Sequence, residues 1–263
     1  MPKDKLTYNN YLKIDELLQL QQLKSKPEEH DELLFIIIHQ TYELWFKEIL
    51  HEFDKLRNDL TNGNTWGSIK TMQRVLTILK ISVAQLDVLE TLTPLEFESF
   101  RHFLGKASGF QSIQFRELEI LCGHRSKHIL RAHENEPKYK KRLTDRMEEP
   151  TLWESFCSYL RKKGYDIPKP ERKGENGLLY ETSSEAQNVI LDVMKNDEEA
   201  TLLIELFVDF DEGLQEWRYR HVKMVERTIG SKPGTGGSPG VKYLRSTLHQ
   251  RIFPDLWEVR SEI

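Results

Sequence analysis

The chain is poor in cysteine, in long apolar runs and in alternating apolar–polar sequence. Its 263 residues hold two cysteines, Cys122 and Cys157. Two thiols 35 positions apart make neither a disulfide framework nor a CxxC metal site, and they read as reduced cytoplasmic thiols. The longest apolar run, Leu33 to Ile38, is far short of the roughly 20 residues that cross a bilayer. The N-terminus MPKDKLTYNN lacks an apolar signal core. These absences predict a cytoplasmic protein with no membrane partner. Thirty-eight basic and 42 acidic residues leave a formal charge of -4, so no global field draws the chain to nucleic acid. The one basic run, Lys138-Tyr139-Lys140-Lys141-Arg142, lacks a binding motif and reads as solvated surface. There is no dinucleotide or P-loop glycine pattern, and no internal repeat.

What is present is the helical period. A short amphipathic helix is expected over Lys13 to Leu23. Ser25, Pro27 and Glu28 resemble a capped start for a long helix from about Glu28 to Leu60, stopped by Asn62-Gly63-Asn64. A second long helix is expected from Trp66 to Glu90. Thr93-Pro94-Leu95-Glu96 is a hydroxyl cap with proline in the first turn and glutamate three residues on; its helix should end near Gly105. Further helices are expected at Ser112 to Leu121, Thr151 to Lys163, from about Ser183, Asp197 to Ile229, Val241 to Ile252 and from Pro254. The glycine-rich segment 234–240 (Gly234, Thr235, Gly236, Gly237, Ser238, Pro239, Gly240) lacks the GK[ST] ending of a phosphate loop. The expected fold is a single all-α domain over 1–263, a bundle of long helices; cofactor sites in bundles are built between facing helices.

Some residues stand out. His221 lies four residues after Trp217 and shortly before the glycine segment; it is either a packed helix histidine or a ligand beside a mobile loop. His39 shares a helix face with Phe35, Tyr42 and Phe46. A histidine there is a core residue bonded to a carbonyl, or the polar tip of an apolar pocket. Arg101 follows Phe97 and Phe100. It either lays its stem on the phenylalanines or offers a planar fork to a carboxylate. Thr235 is a turn residue or a hydroxyl placed for a ligand.

The strings around these residues resemble one family. LTYNNYL (6–12), HDELLFIIIHQTYELWFKEILHE (30–52), LETLTPLEFESFR (89–101), GFQSIQFRELE (109–119), WRYRHV (217–222) and GTGGSPGV (234–241) are similar to tryptophan 2,3-dioxygenases, in the family's order. The polar middle, about 124–215, carries little of the likeness.

The resemblance implies one haem b per subunit, ferrous when active, with His221 as axial iron ligand and Ser108 and Gly109 at the haem edge. It implies L-tryptophan and O₂ as substrates and N-formyl-L-kynurenine as product. Phe35 would pack on the indole and His39 accept its N–H. Whether His39 also removes that proton is open. Ile36, Ile37 and Ile38 belong to the same distal stretch, and Phe97 and Phe100 to the pocket wall. Arg101 would pair with the substrate carboxylate, and Thr235 with the ammonium or carboxylate. Phe97 stands where some bacterial members carry a tyrosine. Tyr8, Tyr11 and Leu12, within an N-terminal segment 1–24, would reach a neighbouring subunit's pocket in a homotetramer, a dimer of dimers. Two other readings are a same-family enzyme acting on another indole and a non-catalytic haem-binding bundle.

Overall fold

The computed structural model describes residues 6–126, 129–130, 133–172, 180–235 and 240–263. Among these there is no β-strand; one isolated antiparallel bridge joins Arg172 and Tyr180. The chain is all-α, as its periodicity predicts. In order, its helices are α1 (Tyr8–Leu12), α2 (Ile14–Leu17), α3 (Glu32–Asn62), α4 (Thr65–Leu89), α5 (Pro94–Arg101), α6 (Ile113–Leu121), α7 (Pro137–Glu148), α8 (Leu152–Lys162), α9 (Ser184–Asn196), α10 (Glu198–Ile229), α11 (Val241–Ser246) and α12 (Pro254–Glu258). Long α4 lies against both α3 and α10. These three helices carry the frame.

Local chemistry explains most boundaries. Gly63 takes the left-handed conformation (φ 74°) that closes α3. At α5 the Thr93 hydroxyl accepts the Glu96 N–H while the Glu96 carboxylate accepts the Thr93 N–H at 2.7 Å. Thr151 and Glu154 make the same reciprocal cap on α8.

Four expected boundaries move. The helix expected over Lys13–Leu23 is instead two short turns. Lys13 itself is left-handed (φ 55°) and caps α1. Beyond Leu18 the chain is drawn onto α3, where Gln40 donates to the Leu20 carbonyl at 3.2 Å and Gln21 donates to the Gln40 side chain at 2.5 Å. The start of α3 falls at Glu32, not Glu28. The buried Glu32 carboxylate turns back to accept from Lys24 N (2.8 Å), Ser25 N (2.9 Å) and Ser25 Oγ (2.5 Å). Ser25 therefore caps the preceding turn, accepting from Glu29 N. Helix α5 ends at Arg101 and tightens into a 3₁₀ turn over His102–Leu104 before Gly105. The helix expected over Val241–Ile252 stops at Ser246. Buried Arg218 takes the Thr247 and Gln250 carbonyls, each at 3.2 Å, and buried Asp211 takes the Ile252 and Phe253 N–H groups at 2.8 and 3.1 Å. Charged groups from α10 have replaced the helical partners.

Of the buried clusters, two hold the long helices together. The larger is centred on Trp153, Phe156, Tyr159, Phe207 and Phe253, none more than 2% exposed. Phe207 meets Phe156 at 5.0 Å and Phe253 edge-on at 4.9 Å between centroids. The smaller gathers Ile38, Tyr42, Leu86, Leu89, Phe97, Phe100 and Met224 at the other end of the same long helices. The basic run 138–142 lies exposed on α7. Its Arg142 pairs with the buried Glu117 at 2.5 Å.

Candidate functional site

Beside the smaller cluster a cavity of about 310 Å³ opens between the start of α3, α5, α6, the second half of α10 and the turn 107–110. Its walls are mainly apolar and aromatic, with a few converging polar groups, the usual make-up of a ligand site. Phe35, His39, Phe97, Arg101, Ser108, Gly109, His221 and Thr235 all line it. Residues far apart in sequence thus meet around one space.

His39 sits one turn after Phe35, and the helix decides its tautomer. Its Nδ1 lies 2.7 Å from the Phe35 carbonyl oxygen. A carbonyl only accepts, so Nδ1 carries the proton and Nε2 is left with a lone pair. Burial pushes the imidazole pKa below its ordinary value; the Phe35 bond and the Glu43 charge oppose this. The result is a neutral ring that can accept a hydrogen bond. The Phe35 and His39 rings lie 4.1 Å apart. Phe97 and Phe100 back Phe35, each at 5.6 Å.

His221 lies on α10, one turn after Trp217, and the two rings stack at 5.1 Å with 6° between planes. Burial, then the proximity of His39, pushes its pKa down to about 4. It is therefore neutral near pH 7. Among the described residues neither ring nitrogen has a hydrogen-bond partner. A neutral imidazole with a free lone pair is a transition-metal ligand. Among the described residues no group of three or more His, Cys, Asp or Glu gathers to hold a bare ion. A lone histidine instead suits a metal whose other ligands come from a macrocycle.

Arg101 has most of its side chain buried, at 16% exposed, and donates from Nη2 to the Pro233 carbonyl at 2.7 Å. Thr235 donates from Oγ1 to the Ala107 carbonyl at 2.5 Å. The segment entering the glycine loop is thus tied to α5 and to the turn before Ser108. Gly236, Gly237, Ser238 and Pro239 of that loop lie outside the described residues. The Ser108 hydroxyl accepts the Phe110 N–H, so its main role here is to start a 3₁₀ turn.

Other predicted residues stand off the cavity. Phe100 is fully buried behind its wall. Ile38 packs inward with Leu86 and Leu89, Ile37 is 43% exposed on the outer side of α3, and half-buried Ile36 does not line the space. Successive helical residues point in different directions, so FIIIH cannot place all five side chains on one wall. Tyr8, Tyr11 and Leu12 are 73%, 69% and 44% exposed and do not line their own chain's cavity.

Residue-level reading missed Arg116. It lines the cavity at 5% exposure, with its guanidinium 4.6 Å from the Phe110 centroid. Glu119 pairs with Nη1 at 2.5 Å, but Nε is buried without a partner. A buried guanidinium with an unpartnered N–H calls for an anionic acceptor. The signal was in the string GFQSIQFRELE: an arginine after Phe110 and Phe115, three residues before Glu119. The stacking Trp217 was equally visible, at i−4 from His221.

Fold and site together define an all-α protein whose apolar cavity brings together two neutral histidines and an arginine fork. The family model described as tryptophan 2,3-dioxygenase matches residues 2–163 and 153–263. The tryptophan 2,3-dioxygenase of Herpetosiphon aurantiacus is 51% identical over 258 residues, covering 98% of each chain. That of Anaeromyxobacter dehalogenans is 51% identical over 261 residues, 98% of this chain and 96% of the relative. That of Caulobacter vibrioides is 41% identical over 261 residues, 98% of each. The chain belongs to the tryptophan 2,3-dioxygenase family.

Proposed function

We propose that the protein is a haem-dependent dioxygenase that adds both atoms of O₂ across the indole C2–C3 bond of L-tryptophan and releases N-formyl-L-kynurenine. The observation that carries this reading is the pair of neutral histidines lining one cavity. One has its lone pair free for an N–H donor; the other has no hydrogen-bond partner among the described residues.

His221 would hold the haem iron through a ring nitrogen. The unpartnered Nε of Arg116 would take a carboxylate side chain of the porphyrin, and Ser108 and Gly109 would border its edge. When bound, haem b supplies the iron at which O₂ is activated. The protein's own residues do the rest. Phe35 and Phe97 offer flat apolar surface to the indole. His39 Nε2 accepts the indole N–H and so orients C2 and C3. Because Nδ1 keeps its proton and donates it to the Phe35 carbonyl, the ring can take the indole proton only at Nε2. Arg101 exchanges the Pro233 carbonyl for the substrate carboxylate, a stronger charge-assisted acceptor. Thr235, next to it, takes the ammonium or the carboxylate. Fixing both ends of the zwitterion and the ring edge gives one pose and excludes water.

We read residues 1–263 as one domain, since a single buried cluster runs from Ile49 to Val259. The exposed Leu6, Tyr8, Tyr11, Leu12, Leu18 and Leu20 support a homotetramer in which this segment covers a neighbour. Among the described residues no helix is long and apolar enough to cross a membrane. The two cysteines are free thiols, both buried; this fits the cytoplasm.

The test is optical. Protein from haem-supplied cells is reduced under air, and its spectrum is taken before and after L-tryptophan. The expected result is a Soret band that shifts with tryptophan, followed by formylkynurenine absorption. A Soret band without product points to another indole or to a sensor. No Soret band removes His221 as an iron ligand.

A further inference from the structure

Arg101 does not stand alone on α5. Glu98, one turn before it on the same face, places Oε2 3.7 Å from Arg101 Nη1 and 3.1 Å from Lys232 Nζ. Lys232 precedes Pro233, whose carbonyl accepts from Arg101 Nη2 at 2.7 Å. Two residues later Thr235 is bonded to Ala107. One carboxylate on a firmly capped helix thus joins the two cations that flank the entrance to the glycine loop. Without it, Lys232 and Arg101 would be like charges facing one another, and Lys232 would lose its tie to α5.

We propose that Glu98 is a positioning residue for substrate binding: by bridging Lys232 and Arg101 it sets segment 232–235 against α5, so that Arg101 and Thr235 meet the two charged ends of the amino acid together. The inference rests on the reading that Arg101 receives the substrate carboxylate. The Glu98 carboxyl is held below its ordinary pKa first by Lys232 and then by Arg101, so it is ionised at neutral pH. Glu98 and Lys232 are about half exposed. Such a pair is screened by salt and individually weak. Its contribution is therefore one of alignment, and salt is a probe of it.

The experiment uses the haem-loaded enzyme. Binding of L-tryptophan and of 3-methylindole, which lacks both charged ends, is followed by the Soret shift for wild type, Glu98→Gln, Lys232→Ala and the double variant. Glu98→Gln should weaken L-tryptophan about fivefold, the scale of one exposed ion pair with a shared partner. It should leave 3-methylindole affinity, haem content and kcat unchanged. Lys232→Ala should do the same, and the double variant should be no worse than either single one. Added salt should weaken tryptophan binding more steeply in wild type than in the variants. Arg101→Gln is measured beside them. Unchanged tryptophan affinity in Glu98→Gln, or equal losses for tryptophan and 3-methylindole, overturns the inference. If Arg101→Gln weakens tryptophan and Glu98→Gln does not, the inference alone fails. If Arg101→Gln binds normally, the carboxylate assignment fails with it.

Discussion

The two ends of α3 and α10 are built differently. Toward the C-terminal end of α3, Phe53, Leu56 and Leu60 are wholly buried, and on α10 so are Leu203, Ile204 and Phe207. Rings and aliphatic chains interlock there. Toward the other end the same helices present Phe35, His39, Trp217 and His221 to an open cavity. A close-packed end fixes helix positions. A gapped end can tolerate neutral imidazoles and half-satisfied arginines, because a ligand and not the protein completes the contacts. The rigid half holds the spacing that the hollow half needs.

The sharpest break of this comparison is His221→Ala. Haem content should fall to background, while the thermal stability of the haem-free chain changes by no more than about 1 kcal/mol. A haem-replete variant would move the iron ligand elsewhere. Next, Phe207→Ala should cost about 3–5 kcal/mol and Phe35→Ala much less, both read from denaturant unfolding without haem. Equal losses would mean that the cavity end is packed as tightly as the core.

Arg101→Ala should raise KM about tenfold to a hundredfold, the worth of a charge-assisted fork, with haem content unchanged. Normal KM would sink the carboxylate role. The pH dependence follows from His39. Its folded pKa lies below the ordinary histidine value because burial disfavours the charged ring. Protonation places a proton on Nε2 and removes the acceptor. So kcat/KM should hold down to pH 6.5 and fall below it as pH drops through the folded pKa. Stability has the same sign: below pH 6.5 the unfolded chain binds the proton more readily, so acid destabilises the fold. His39→Gln should remove that limb from kcat/KM; an unchanged limb would assign it to another group. The smallest effect on the isolated fold is expected from Tyr8→Ala with Tyr11→Ala. Unfolding should change by under about 0.5 kcal/mol, while sedimentation shows weaker assembly. Unaltered assembly would free the N-terminal segment from its interface role.

Much of this was legible locally. Thr93-Pro94-Glu96, Thr151 and Gly63 mark helix ends because capping satisfies backbone groups within a few residues. The strings at 30–52 and 217–222 marked His39 and His221. The break after Ser246 was not legible, because Arg218 and Asp211, about 30 to 40 positions earlier, capture those backbone groups. The roles within FIIIH were equally hidden. Identity of residues placed all five in one stretch, but helix phase sends only Phe35 and His39 to the cavity.

By itself the sequence determined the helical class, most helix termini and the chemical types at the site, since these follow from period, caps and side-chain identity. Only the tertiary structure decided which of those residues share a cavity, which nitrogen of His39 is free, that Arg116 lines the same space, and that Glu98 bridges Arg101 and Lys232. Those depend on contacts between helices distant in the chain, and a buried charge reveals its purpose only when its partners in space are known.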